Sequence, residues 1–312
     1  MSQDHYEQKT PFTSLYRLVT SRPLTGIGMF LSKYAPPPLG YALGDLIAGL
    51  ITWLKPDVYG VVCANLRQVV GPQTSEQTLH RLVRQVFHNT ARNAYELWHL
   101  VGRGQAAIRA AIRFPPTAWA HLEQAQRRGK GMLIVGPHTG NFYLGMLALA
   151  AYGLDIQVLG LASAPGGGFD LMDQMLARAG VRVTSASVQA LREVIKRLRS
   201  GGIVLTGADR PVDGAEPSVE FFGRLAPLPT GHVRLALKTD ATILITSPHR
   251  DAQERNVVGL SPPLEMVRTG DPDEDLRVNL QRVTTQLEEL IRIRPGQWAM
   301  FLPVWPEGQA SS

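Results

Sequence analysis

Between Pro36 and Leu54 the apolar positions Leu39, Leu43, Leu46, Leu50 and Trp53 recur at helical spacing, and Ile47, Ile51 and Leu54 widen the face. The stretch approaches the roughly 20 residues that a bilayer span needs. It nevertheless opens on a run of prolines, carries Asp45 and ends at Lys55-Pro56, which fits an amphipathic or largely buried helix better than a crossing one. A second segment with Val61, Val62 and Leu66 breaks at Gly71-Pro72. Thr74 or Ser75 can then cap a helix through Leu79, Leu82, Val83, Val86 and Phe87 toward Leu97. Pro115 and Pro116 close this block.

The periodicity changes near Lys130. Met132 to Val135 is a continuous apolar run of strand length, followed at once by a glycine-bearing turn and an apolar helix. Ile156–Leu159, Val181–Val183, Ile203–Thr206 and Ala241–Thr246 read as further strands. Phe169–Ala179, Val188–Arg199, the segment after Gly231 and Asp275–Ile293 read as helices. Alternation of this kind predicts an α/β fold behind a helical N-terminal layer. The expected organisation is a single α/β domain over residues 13–306, helical at 13–125 with its core at 126–306, between flexible ends at 1–12 and 307–312.

Composition narrows the class. With 44% hydrophobic and 19% charged residues the chain can bury a large core, and its 30 Gly and 22 Pro show no collagen-like period. Cys63 is the sole cysteine, so neither an internal disulfide nor a cysteine-based zinc site is available. The eight histidines form no HExxH-type ligand cluster, and no metal is expected. The net charge is +6, carried mostly by arginine, which suits phosphate and carboxylate contacts. Lys and Arg are not clustered among aromatics, so nucleic acid is not an expected partner. Residues 1–20 lack the basic-then-apolar order of a signal peptide.

His138 follows the Met132–Val135 strand directly and precedes a helix beginning near Asn141. Ligands of open α/β sheets bind at the carboxyl ends of strands, and an imidazole there can take a proton from a hydroxyl. Gly136 and Gly140 permit close backbone approach, and amides at the helix start could face a developing oxyanion. The alternative is a buried histidine satisfied by a carbonyl.

The segment Gly136-Pro137-His138-Thr139-Gly140-Asn141-Phe142 resembles the signature of the lipid A biosynthesis (lauroyl/myristoyl) acyltransferase family, which includes phosphatidylinositol mannoside acyltransferase-like proteins. Members typically read H-x-G-N-W-(E/D). Further along, Asp209-Arg210, the element from Val219 to Ala226, Pro229, Gly231, Leu235-Ala236 and Thr239 resemble the family's second region in order and spacing. Arg294-Pro295-Gly296-Gln297-Trp298 with Phe301 and Trp305 resembles its closing element, Gly296 standing for glutamate. Asn65-Leu66-Arg67 is similar to an early one. The resemblance implies a mixed central sheet flanked by helices, as in glycerol-phosphate acyltransferases. It also implies transfer of an acyl chain from acyl-CoA or acyl carrier protein to a glycolipid hydroxyl, with His138 as general base and no cofactor.

One position departs from that pattern. Tyr143 stands where the family holds the carboxylate that raises the histidine's basicity and fixes its tautomer, and a phenol is neutral near pH 7. Glu220 is the first candidate for the missing carboxylate, Asp209 the second, and weakened or lost transfer the third. Asn141, Asp209, Arg210 and Arg224 are expected at the substrate, although Asn141 could equally cap its helix. Leu144, Met146, Leu147 and Leu149 could line an acyl tunnel or fill the core. Gly166-Gly167-Gly168 lacks the Lys and Ser/Thr of a P-loop.

The resulting expectation is an acyltransferase on the cytoplasmic face of the cell membrane, peripheral or monotopic, drawn to an anionic surface. An acidic carrier-protein donor would favour a basic docking face. A non-catalytic lipid-binding homologue and a thioester or lipid hydrolase are the competing classes. No G-x-S-x-G serine elbow supports the hydrolase. The sequence sets no oligomeric state.

Overall fold

A computed structural model describes residues 21–160, 168–185, 187–212 and 214–305. The ends expected to be flexible, 1–12 and 307–312, lie outside the described residues, as do Gly166 and Gly167. In chain order the helices are α1 (Arg22–Tyr34), α2 (Pro37–Leu54), α3 (Asp57–Val70), α4 (Glu76–Val101), α5 (Gln105–Ala111), α6 (Pro116–Arg127), α7 (Phe142–Ala151), α8 (Gly168–Arg178), α9 (Val188–Arg199), α10 (Gly231–Thr239) and α11 (Pro272–Ile293). The strands are β1 (Ile112–Arg113), β2 (Met132–Gly136), β3 (Ile156–Gly160), β4 (Arg182–Ser185), β5 (Ile203–Gly207), β6 (Val219–Phe221), β7 (Arg224–Ala226), β8 (Thr242–Arg250) and β9 (Asn256–Leu260).

One mixed sheet runs in the order β1-β9-β8-β2-β5-β3-β4. The strands from β8 to β4 are parallel, β9 lies antiparallel to β8, and β1 lies parallel to β9. Helices cover both faces, so the central strands carry unbroken apolar runs. Along β2, Leu133 and Val135 enter one core while Met132 and Ile134 enter the other. Each fully buried aliphatic of this kind contributes roughly 1.5–3 kcal/mol. The architecture is the mixed, helix-flanked sheet with a helical N-terminal layer that the motifs implied.

Local chemistry sets the boundaries. Ser75, not Thr74, caps α4 by accepting from the Thr78 amide at 3.3 Å, and Asp271 caps α11 by accepting from Asp273 and Glu274. The sequence pattern missed the β6–β7 hairpin and β9, and it ended β8 at Thr246 rather than Arg250. Strands β6 and β7 are only three residues each, and β8 and β9 carry Pro248 and Gly259, so none offers a long unbroken pattern to read.

Helix α2 forms where the spacing placed it but packs by its opposite face. Gly40, Gly44 and Ala48 are the buried positions, and a Cβ at Gly40 would stand 2.1 Å from the Tyr95 ring of α4. Asp45 lies on this inner side, bound to His88 Nδ1 at 2.8 Å and to Arg92. Leu39, Leu43, Leu46, Leu50 and Trp53 are therefore exposed, Trp53 to 77%. Small residues allow the helices to close together, and the large ones are turned out. Among the described residues no single helix is long and apolar enough to cross a membrane, although α2 and α3 together pass that test across an 88° bend.

Candidate active site

Parallel pairing of β2 and β5 sets Gly136 opposite Gly207, so the turns that follow these strands emerge side by side at one edge of the sheet. The first carries His138 and the second Asp209. His138 Nδ1 meets Asp209 Oδ1 at 2.5 Å, and the His138 backbone amide donates to Asp209 Oδ2 at 2.8 Å. Trp298 Nε1 donates to that same Oδ2 at 2.8 Å. An ionised carboxylate only accepts, so Nδ1 carries the proton and the neutral imidazole presents its lone pair at Nε2.

Steric fit holds the ring in place. A Cβ at Gly207 would lie 2.5 Å from His138 Cε1, so glycine at the end of β5 is what lets the imidazole cross the strand end. The Phe142 ring meets the imidazole edge-on at a centroid distance of 4.8 Å. Gly140 adopts φ 51° and its Cα abuts the β8 backbone, where a Cβ would be 2.6 Å from His249 Cα.

The chain's last described segment walls the turn. Ala299 N donates to the His138 carbonyl at 2.8 Å, and Gly140 N donates to the Gln297 carbonyl at 3.1 Å. Gln297 also bridges to Arg250 through both main-chain groups, at 2.7 and 2.8 Å. The amides of Thr139 and Gly140 are thus committed, to Pro137 and Gln297, and do not form an oxyanion hole.

Charges in the site are set by burial and by neighbours. Burial first, and then the Arg210 cation, hold His138 below the ordinary imidazole range against the opposing pull of Asp209. Burial alone would raise the Asp209 carboxyl. The His138 charge and hydrogen bonds, with that from Trp298, outweigh it and leave the group below the ordinary carboxylate range. The pair at neutral pH is a carboxylate beside a neutral imidazole.

The other sequence candidates fall in different places. Glu220 sits on β6, where Val219 and Phe221 turn inward and the glutamate side chain is exposed. Its carbonyl accepts from Gln281, and the carboxylate at His138 is that of Asp209 instead. Asp209 is completely buried and wholly engaged by His138 and Trp298, so it orients neither Arg210 nor a head group. Asn141 is also buried: it accepts from Leu144 N at 3.3 Å as the cap of α7 and donates to the Asn93 carbonyl at 3.2 Å. It supports the turn rather than a substrate.

Arg210 is half-buried just past Asp209, and Arg224 is exposed on β7. Tyr143 packs against Phe142 at 4.3 Å beside the second core. Leu144, Met146, Leu147 and Leu149 are buried core residues of α7. Sequence reasoning missed Trp298 as a partner of the pair and Gly207 as its steric requirement. The clue to both was position, since Trp298 belongs to the closing motif segment and Gly207 ends β5 two residues before Asp209. Among the described residues no cluster of three or more His, Cys, Asp or Glu side chains could hold a metal ion.

Two comparisons with known proteins bear on this geometry. Over 188 residues, 59% of the chain, it is 23% identical to a phosphatidylinositol mannoside acyltransferase of Mycobacterium tuberculosis (strain CDC 1551 / Oshkosh). The match spans 58% of that relative's length, short of two thirds. The family model for bacterial lipid A biosynthesis acyltransferases matches residues 12–307, which include the histidine turn, Asp209 and the Trp298 segment. The chain belongs to the bacterial lipid A biosynthesis acyltransferase family.

Proposed function

We infer that this protein moves a fatty acyl chain from the thioester of acyl-CoA or acyl carrier protein to a hydroxyl of a membrane glycolipid. The observation that carries the reading is the His138–Asp209 contact at 2.5 Å, with the proton on Nδ1 and the lone pair at Nε2. His138 Nε2 takes the proton of the acceptor hydroxyl as its oxygen attacks the thioester carbonyl. Asp209 holds the tautomer and stabilises the imidazolium that forms. The tetrahedral oxyanion is stabilised by Arg210, and its collapse forms the ester and expels the thiolate, which takes the proton back from His138. No acyl-enzyme is needed. Cys63 lies in α3, and burial, the largest influence on it, raises its thiol above the ordinary range, opposite to an activated nucleophile.

Access to a lipid acceptor is the role we assign to the outward faces of α1 and α2. Ile27, Phe30, Leu31, Leu43, Leu46 and Trp53 are exposed on them, while Arg22, Lys33 and Lys55 stand at their ends. Such a face would lie in the head-group boundary of an anionic leaflet, as a peripheral or monotopic anchor. The single cell-membrane face consistent with soluble thioester donors is the cytoplasmic one.

The reading is tested by supplying radiolabelled acyl-CoA or acyl carrier protein with total membrane lipid and following label into a new lipid. Label in a lipid product that disappears with H138A supports transfer. Label released only as free fatty acid, with no dependence on an acceptor, contradicts it.

A further inference from the structure

Apart from the histidine turn, a cleft opens beside the β1–β9 end of the sheet. It has a volume of about 380 Å³ and lies between the first turns of α2, the last turns of α4 and the β1–β9 edge. Its floor is polar: Glu96 is bound by the Tyr41 hydroxyl at 2.9 Å, by Asn256 Nδ2 at 2.8 Å and by Arg250 through two bonds of 2.9 Å each. Burial first, then Glu96, push the Tyr41 phenol up to about 12, so it stays a donor to that carboxylate. A floor of this kind does not take an acyl chain.

The rim has the opposite character. Arg103 and Arg113 are exposed cleft residues with no carboxylate partner among the described residues. The acids at and near the cleft are paired: Glu96 with Arg250, Asp251 with Arg255, and the lining residue Glu254 with Arg92, which it shares with Asp45. The cleft therefore carries uncompensated positive charge, and guanidinium groups bind phosphate in a bidentate geometry.

Pro37 and Tyr41 line the cleft from α2, the helix whose large apolar residues face outward. A leaflet seated on that face would bring its head groups to the level of the cleft mouth. We propose that this cleft binds the phosphate of a membrane-lipid head group through Arg103 and Arg113. The site rests on the membrane docking put forward above and not on the chemistry at His138.

The test is sedimentation of the full chain with vesicles of phosphatidylcholine, with and without phosphatidylinositol. The variants are R103Q/R113Q and, as a control of equal charge loss, R192Q/R199Q on the exposed face of α9. The expected result is a loss of about tenfold or more in the phosphatidylinositol-dependent binding of R103Q/R113Q, with unaltered binding by the control pair. Calorimetric titration with inorganic phosphate separates the sources. Saturable phosphate binding lost in R103Q/R113Q, together with vesicle binding unaffected by that variant, would assign the site to free phosphate and overturn the lipid. Equal losses from both arginine pairs would reduce the effect to net charge and overturn the site alone. Failure of every protein to sediment with either vesicle would overturn the docking reading and this site with it.

Discussion

Trp298 and His138 share one carboxylate oxygen: the indole N–H and the His138 backbone amide both donate to Asp209 Oδ2 at 2.8 Å, leaving Oδ1 for the imidazole. The indole thereby draws off part of the negative charge that would otherwise act on His138. In W298F the freed carboxylate is more basic, so the imidazole holds its proton more strongly. The acid limb of the pH–rate profile should move to higher pH, and kcat should fall about tenfold, the scale of one hydrogen bond to a charged group. A merely structural role for Trp298 would lower thermal stability without moving that limb.

The wild-type profile itself carries information. Burial and Arg210 hold His138 below the ordinary range, so activity should rise with pH through a midpoint below about 6.5. Replacing Arg210 by Gln removes the nearby cation, and the midpoint should then rise toward the ordinary value. An acid limb unmoved in R210Q would show that the cation does not act on the base.

Gly207 offers a steric test. Its Cβ position lies 2.5 Å from His138 Cε1, so G207A must displace the ring from the line between Asp209 and substrate. A misplacement of this order costs about 10²-fold in rate, and kcat/KM for G207A should fall accordingly. Circular dichroism should remain near wild type, because the strand pairing is retained, while the melting point should fall as buried Asp209 loses its imidazole partner.

Away from the site, His232 on α10 is buried, and neither ring nitrogen has a partner among the described residues. Burial depresses its pKa from 6.5 to about 4. The unfolded chain binds this proton more readily, so the stability it confers is full above about pH 6.5 and is lost as pH falls toward about 4. The loss amounts to about 3 kcal/mol over that window. Urea unfolding at stepped pH should show this loss in the wild type and a flatter response in H232L.

How far the sequence carried this picture depended on the range of the interactions involved. The buried strands β2, β5 and β8 were legible because helices cover both their faces, which demands continuous apolar runs. His138 was legible from its place after a strand. The partner of His138 was not, because Glu220 and Asp209 both stand in motif segments and only the third dimension separates them. Alternation in β6 sends Glu220 outward, whereas the β2–β5 register carries Asp209 to the imidazole. The outward turn of α2 was hidden for a similar reason. Its leucine spacing looks like a core stripe, and the stripe that packs is made of Gly40, Gly44 and Ala48.

The central claim is that His138 works with Asp209, and the most direct measurement is acyl transfer to membrane lipid by D209N beside E220Q. With the pair intact as the working unit, kcat should fall about 10²- to 10⁴-fold in D209N, as for an imidazole deprived of its orienting carboxylate, and E220Q should keep full activity. Full activity in D209N, or its loss in E220Q instead, would contradict the pairing.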